Sequence, residues 1–321
     1  MSVNQRASMT IGVAYRPSLR GLIDGTVKPE GIDLTCVTDF PEPSTIVRHD
    51  RILEGKLDGG ELSMSFYIEA KTRGAPLIGI PVYPNRSFRH RSIYCRDSAG
   101  IKKPSDLKGK RVGLHVYAAS TMIWVRGILR DEFGIHPQDI QWHTLSTQGA
   151  EGAIQAGVSI TLIPSPGAAD FNEYIAQMVL RGELDAAVGP VNITRPGISR
   201  LFSNFAEVET EYYRRTSIYP IIHTAVVNER IARDNPWVPR NLLEALRKAA
   251  ALTPQYAALG KLPQGDKEIW EQDRPILGGD DPYAWVMGAK ERRAIEAFLD
   301  YLVLDGVIQT KPSVDSLFPI T

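Results

Sequence analysis

The chain has 321 residues, 43% of them hydrophobic, with 37 Lys and Arg against 37 Asp and Glu and only two cysteines. This is enough for two domains with proper buried cores. Zero net charge excludes the clustered basic excess of a nucleic-acid footprint, so any attraction for anions must be local. No apolar run approaches a membrane span, and no apolar segment follows Met1–Ser8. Cys36 and Cys95 do not call for an oxidising compartment. A cytoplasmic protein without nucleic-acid or membrane partners is expected, and self-association is left open.

In chain order, a first strand is expected at Thr10–Tyr15. A helical stretch then ends at Leu53-Glu54-Gly55, and a strand begins at Leu57-Asp58-Gly59-Gly60. This pattern returns as Leu180-Arg181-Gly182 followed by Leu184-Asp185-Ala186-Ala187, behind a strand at Arg111–Leu114. Each Gly suits a left-handed helix C-cap. A faint internal repeat is one reading; chance is the other, since helix–Gly–strand turns are common. Helices are expected at Trp124–Phe133 and at Asp170–Arg181, with Asp170 as N-cap. Asn241–Ala251 and Lys290–Leu304 are amphipathic and are expected to pack on the first sheet. Alternating strands and helices imply an α/β protein with parallel sheets. The polar stretch Ser98–Lys110 reads as the crossing into a second lobe and Ser217–Val227 as the return. The expected lobes are therefore 1–97 with 217–321, and 98–216.

Pro104-Ser105-Asp106-Leu107-Lys108-Gly109-Lys110-Arg111-Val112-Gly113 resembles the entry to the second lobe of type 2 periplasmic-binding-protein folds. A narrower resemblance, over most of the chain, is to the 4,5-dihydroxyphthalate decarboxylase family. It rests on Gly25–Leu34, Glu61-Leu62-Ser63-Met64-Ser65, Ile80–His90, Trp124–Leu129, Ile218–Thr224 and the ending Ser316-Leu317-Phe318. It implies a two-lobed type 2 periplasmic-binding-protein-like fold with a ligand cleft between the lobes. It implies also a non-oxidative decarboxylase of a hydroxylated aromatic dicarboxylate. One segment departs from the family: Val116 and Ala118 stand beside Tyr117 where a Glu and a Gln are expected, so the substrate can differ.

Within that resemblance, His90 and His223 are the candidate acid and base, and Arg86 and Arg89 the candidate carboxylate clamps. Were the segment extended, Arg86, Phe88 and His90 would share a face. The bland alternatives are a solvated or surface-paired Arg, and for His223 a core imidazole satisfied by a backbone carbonyl. Ser63 and Ser65 stand where a parallel strand meets the expected cleft, Asn192 and Thr194 stand at the matching place in the second lobe, and Tyr15 and Arg16 follow the first strand. For these six, ordinary turn chemistry is the alternative. His115 is a specificity candidate or nothing, Tyr117 is a binding candidate, and His49, His136 and His143 read as surface residues.

No metal-ligand spacing, nucleophile elbow or phosphate loop is present, Gly278–Asp281 reads as a plain loop, and no cofactor is expected. The decarboxylase competes with a solute-binding protein of an ABC transporter and with another enzyme on this fold, such as a chorismate dehydratase.

Overall fold

The computed structural model describes residues 6–41, 44–165, 170–189, 191–278, 281–283 and 285–320. Residues 1–5 and the centre of the Gly278–Asp281 loop lie outside them. The described strands are β1 (Ala7–Gly12), β2 (Ile32–Val37), β3 (Gly59–Ser63), β4 (Leu77–Arg86), β5 (Ile93–Arg96), β6 (Arg111–Val116), β7 (Gln141–Ser146), β8 (Ile160–Leu162), β9 (Ala186–Val188), β10 (Ile198–Arg200) and β11 (Ile221–Asn228). They form two sheets, ordered β2-β1-β3-β11-β4 and β10-β5-β9-β6-β7-β8.

Contacts divide the chain into two units. One comprises Met1–Ser87, Ile221–Arg292 and Pro312–Thr321; the other comprises Phe88–Pro220 and Arg293–Lys311. In the first, β1 runs parallel to both β2 and β3, while β11 is antiparallel to β3 and β4. The strand β3 is buried along its whole length, as a central strand covered on both faces must be. The close approach of β3 to β1 depends on glycine. A Cβ on Gly60 would lie 2.1 Å from the Gly12 carbonyl oxygen, and Gly60 has φ 141°.

The repeat is present in space. In the second unit β6 pairs parallel with β7 and β9, and β5 runs antiparallel to β9 and β10, so β7-β6-β9-β5-β10 repeats β2-β1-β3-β11-β4. The two Leu-Asp copies do the same work. The Asp58 carboxylate accepts from the Thr10 amide at 2.8 Å, and the Asp185 carboxylate accepts from the Arg111 amide at 3.0 Å. Gly55 and Gly182 sit at φ 71° and 77°, the left-handed turns ahead of each strand.

Three expectations change. The sheets are mixed rather than parallel, because β5 and β11, the strands at which the chain enters each unit, run antiparallel to their neighbours. The first crossing lies at Ser87–Phe88, ahead of the polar stretch Ser98–Lys110, because Ile93–Arg96 already pairs in the second sheet. Finally, residues 293–311 group with the second unit. There Phe298 stacks on Trp124 with ring centres 5.2 Å apart, and Tyr301 lies over Gly127, where any Cβ would meet its ring at 2.2 Å. The Asp305 carboxylate accepts from the buried Arg126 at 2.7 Å. Amphipathicity showed that this helix buries a face, not which partner receives it.

Candidate active site

Four helices position the side chains discussed next: α1 (Pro17–Ile23), α2 (Ser44–Leu53), α3 (Met64–Thr72) and α4 (Ser120–Phe133), the last in the second unit. In the first unit, alternation along β3 points Glu61 and Ser63 to one face. On the adjacent β11, His223 pairs directly with Ser63 and Ala225 with Glu61, so His223 shares that face. All three lie toward the C-terminal end of parallel β3, where open α/β sheets hold ligands.

Glu61 is the hub. It is 1% exposed, and its carboxylate accepts from the Ala14 amide at 3.0 Å, from Arg16 Nε at 3.0 Å and from His223 Nδ1 at 2.5 Å. Its carbonyl oxygen accepts from Arg48 Nε at 3.3 Å. Burial alone would push the Glu61 carboxyl up, but Arg16, Arg48 and the His223 hydrogen bond outweigh it and hold the carboxyl well below the ordinary carboxylate range. Glu61 is thus a fixed carboxylate. It keeps the proton of neutral His223 on Nδ1 and leaves Nε2 to take or give a proton. Burial lowers the imidazole below its ordinary range, against the upward pull of Glu61. The core-imidazole alternative required a backbone carbonyl partner; the partner is a buried carboxylate.

His49, read as a surface residue, is 3% exposed and meets the His223 ring edge-on at 5.3 Å. It sits on α2 beside Arg48, inside a segment whose polar composition suggested exposure. Burial, then His223 and Arg48, push its imidazole well below the usual range. The Ser63 and Ser65 hydroxyls lie 3.1 Å apart at the start of α3. From the helix Gln264–Ile276, Asp266 acts on Arg16; burial and Glu61 raise its carboxyl although Arg16 opposes them.

Arg16, Ser63, Ser65 and His223 are therefore brought together. Arg86 belongs to the same unit at the end of β4, buried and paired with Glu291 at 3.0 Å. Tyr15 is 56% exposed in the connection from β1 to α1.

The remaining candidates belong to the second unit. The chain is not extended from Arg86 to His90: Arg89 has ψ −6° and His90–Ser92 forms a 3-10 turn, so the alternation argument fails there. His90 is 1% exposed between the rings of Phe202 and Tyr212, and both ring nitrogens are buried without a hydrogen-bond partner. Burial, with Arg91 and Arg215, pushes it down to about 4. Arg89 is buried beside it. His115 is half-buried, its ring 4.4 Å from that of Phe171. Tyr117 lies in the hydrophobic core, 3.8 Å beneath the Arg126 guanidinium. The Asn192 side chain accepts from the amide and hydroxyl of Thr194, the turn chemistry weighed as its alternative. His136 is exposed and His143 half-buried.

Sequence reasoning missed Glu61, Arg48 and His49. Glu61 opens the Glu-Leu-Ser-Met-Ser block, and a lone carboxylate behind two glycines in an otherwise uncharged strand was the available signal. Among the described residues, no group of three or more His, Cys, Asp or Glu side chains is arranged to hold a metal ion. No helix among them is long and apolar enough to cross a membrane.

Comparison with known proteins adds findings of three kinds. The NMT1/THI5-like family model matches residues 27–256. A 4,5-dihydroxyphthalate decarboxylase of Comamonas testosteroni is 33% identical over 77% of this chain and 77% of its own. One of Pseudomonas putida is 30% identical over 67% of this chain and 84% of its own. Among solved structures, the alkanesulfonate-binding protein SsuA of Xanthomonas axonopodis pv. citri bound to MOPS aligns over 98% of both chains at TM-score 0.55 and 14% identity. The desulfurization enzyme DSZB aligns over 97% of this chain and 96% of its own at TM-score 0.51 and 15% identity. At such identity these two speak for the fold alone, one that carries a binding protein in one case and an enzyme in the other. The chain has the type 2 periplasmic-binding-protein-like fold and belongs to the NMT1/THI5-like family and to the family of the 4,5-dihydroxyphthalate decarboxylases.

Proposed function

We propose that the protein is a carboxy-lyase that decarboxylates a hydroxylated aromatic dicarboxylate of the 4,5-dihydroxyphthalate kind, with His223 as its proton-transfer residue. The observation that carries the assignment of His223 is its 2.5 Å contact with buried Glu61, whose carboxyl is held well below the ordinary carboxylate range. A carboxylate that fixes an imidazole's tautomer and steadies its protonated form is an arrangement for moving protons. Binding a solute does not by itself require a proton-transfer pair.

The chemistry follows from what carbon dioxide loss requires. Protonated His223 gives its Nε2 proton to the ring carbon bearing the departing carboxylate. A hydroxyl ortho or para to that carbon supplies the electrons and becomes ketone-like as its proton leaves. The bond from the ring carbon to the carboxylate then breaks, its electron pair restores the aromatic ring, and carbon dioxide departs. The hydroxyl recovers a proton, so one proton is consumed for each carbon dioxide released. Arg16 offers a cation beside His223 for a substrate carboxylate, with the Ser63 and Ser65 hydroxyls as neutral donors. His90, held neutral without hydrogen-bond partners, is poorly suited to supply the proton near neutrality.

The test compares 4,5-dihydroxyphthalate with phthalate, reading carbon dioxide release. Turnover is expected only with the hydroxylated substrate, and it should survive a chelator because the substrate's own hydroxyl is the electron sink. His223→Ala should lower kcat by roughly 10²–10⁴-fold. Equal rates on phthalate would refute the mechanism. Tight binding of dicarboxylates with no turnover would favour a binding protein.

A further inference from the structure

The proposed reaction consumes one proton per turnover, and that proton must be on the acid before the ring carbon can receive it. The groups facing His223 make it a poor place for a proton on their own. Glu61 approaches from β3 at 2.5 Å, Arg16 follows β1, and Arg48 and His49 come from α2, with the His49 ring 5.3 Å away. Ser63 on β3 and Asn85 on β4 flank His223 in register, and Asp266 adds a carboxyl on the Arg16 side. With both imidazoles neutral, Arg16 and Arg48 exceed Glu61 by one positive charge, and Asp266, whose carboxyl burial raises, offsets that excess only when ionised. A proton on His223 adds a second in a buried setting, where like charges oppose each other strongly. His49 is close enough that a charge on either ring disfavours a charge on the other.

A substrate with two carboxylates reverses this balance. We propose that the substrate dianion and the catalytic proton are taken up together, the carboxylates offsetting Arg16 and Arg48 while His223 Nε2 receives the proton from solvent. This rests on the decarboxylase reading and adds the origin of the proton to it. Glu61 then faces an imidazolium, the charge state in which their hydrogen bond is strongest. His49 is a positioning residue that disfavours the proton on His223 until the anion arrives. Since the complex holds more protons than the free partners, binding must weaken as pH rises.

The test is calorimetry of the full-length protein with phthalate, which is fully ionised near neutrality and lacks the hydroxyl needed for turnover. Titrations in buffers of different ionisation enthalpy count the protons taken up. About one proton per phthalate is expected, with Kd rising by up to about tenfold per pH unit above neutrality. His223→Gln should still bind phthalate but lose both the uptake and the slope. If phthalate binds too weakly to measure, the pH slope of KM for 4,5-dihydroxyphthalate serves in its place. Binding without uptake, uptake unchanged in His223→Gln, or a flat KM slope would overturn the inference while leaving the decarboxylase reading intact. No binding of phthalate together with no turnover of 4,5-dihydroxyphthalate would remove that reading and this inference with it.

Discussion

Glu61 shows how much one side chain can organise. Its carboxylate is held by the Ala14 amide and Arg16 from the connection after β1 and by His223 from β11, two parts of the chain far apart in sequence. Glu61→Gln keeps the shape but loses the charge that steadies protonated His223, and kcat should fall by roughly 10–100-fold, the usual cost of removing an orienting partner. Glu61→Ala leaves Arg16 and Arg48 without their carboxylate, and urea unfolding should show a loss of about 3–5 kcal/mol. Because the folded-state carboxyl sits below its unfolded value, this stabilisation is complete above about pH 4.3 and disappears as pH falls through the folded value. The buried histidines act at higher pH and for the opposite reason. His90 titrates near about 4 when folded and about 6.5 when unfolded, so the unfolded chain takes up the proton first and stability falls with pH between those values. His90→Phe should flatten that part of the profile without abolishing turnover; parallel profiles for variant and parent would contradict the account.

The elements were legible where local chemistry dictates them. Asp170 caps its helix, accepting from the Glu173 amide at 2.9 Å, as its position before an apolar run indicated. The Leu-Asp repeat marked β3 and β9 because the same aspartate must satisfy the amide of the neighbouring strand in both sheets. What local pattern does not reveal is closeness between strands. Gly60→Ala should destabilise by about 2–3 kcal/mol or more, since a methyl group would collide with the Gly12 carbonyl and the backbone is at positive φ. Thermal unfolding of the purified variant checks this, and a change under about 0.5 kcal/mol, the range of ordinary surface substitutions, would be incompatible with the packing described.

At the scale of the whole molecule, the two sheets share one topology but not one chemistry. Counting from the paired aspartates, the position of Glu61 in the first unit is taken by Val188 in the second. The charged cluster therefore belongs to one copy of the repeat, and the equivalent strand in the other copy builds hydrophobic core. The assignment of residues 293–311 to the second unit is open to direct test. Phe298→Ala should cost about 3–5 kcal/mol and reduce amide-exchange protection along α4, whose Trp124 it stacks on. Lost protection in β3 and β11 with α4 unchanged would return that segment to the first unit.

The sequence by itself determined the alternation of helices and strands, the glycines at their junctions, the two-unit plan and the family. These are written in short-range patterns, in periodicity and turn chemistry that act over a few residues. The tertiary structure decided which side chains meet. Glu61 and His223 lie 162 positions apart, and only the antiparallel docking of β11 beside β3 brings them to one face. It likewise buried His49, whose neighbours along the chain are polar, and gave the Phe298 helix its aromatic partner in the second unit. Periodicity states that a face is buried; the partner that buries it is set by topology and packing across the whole chain.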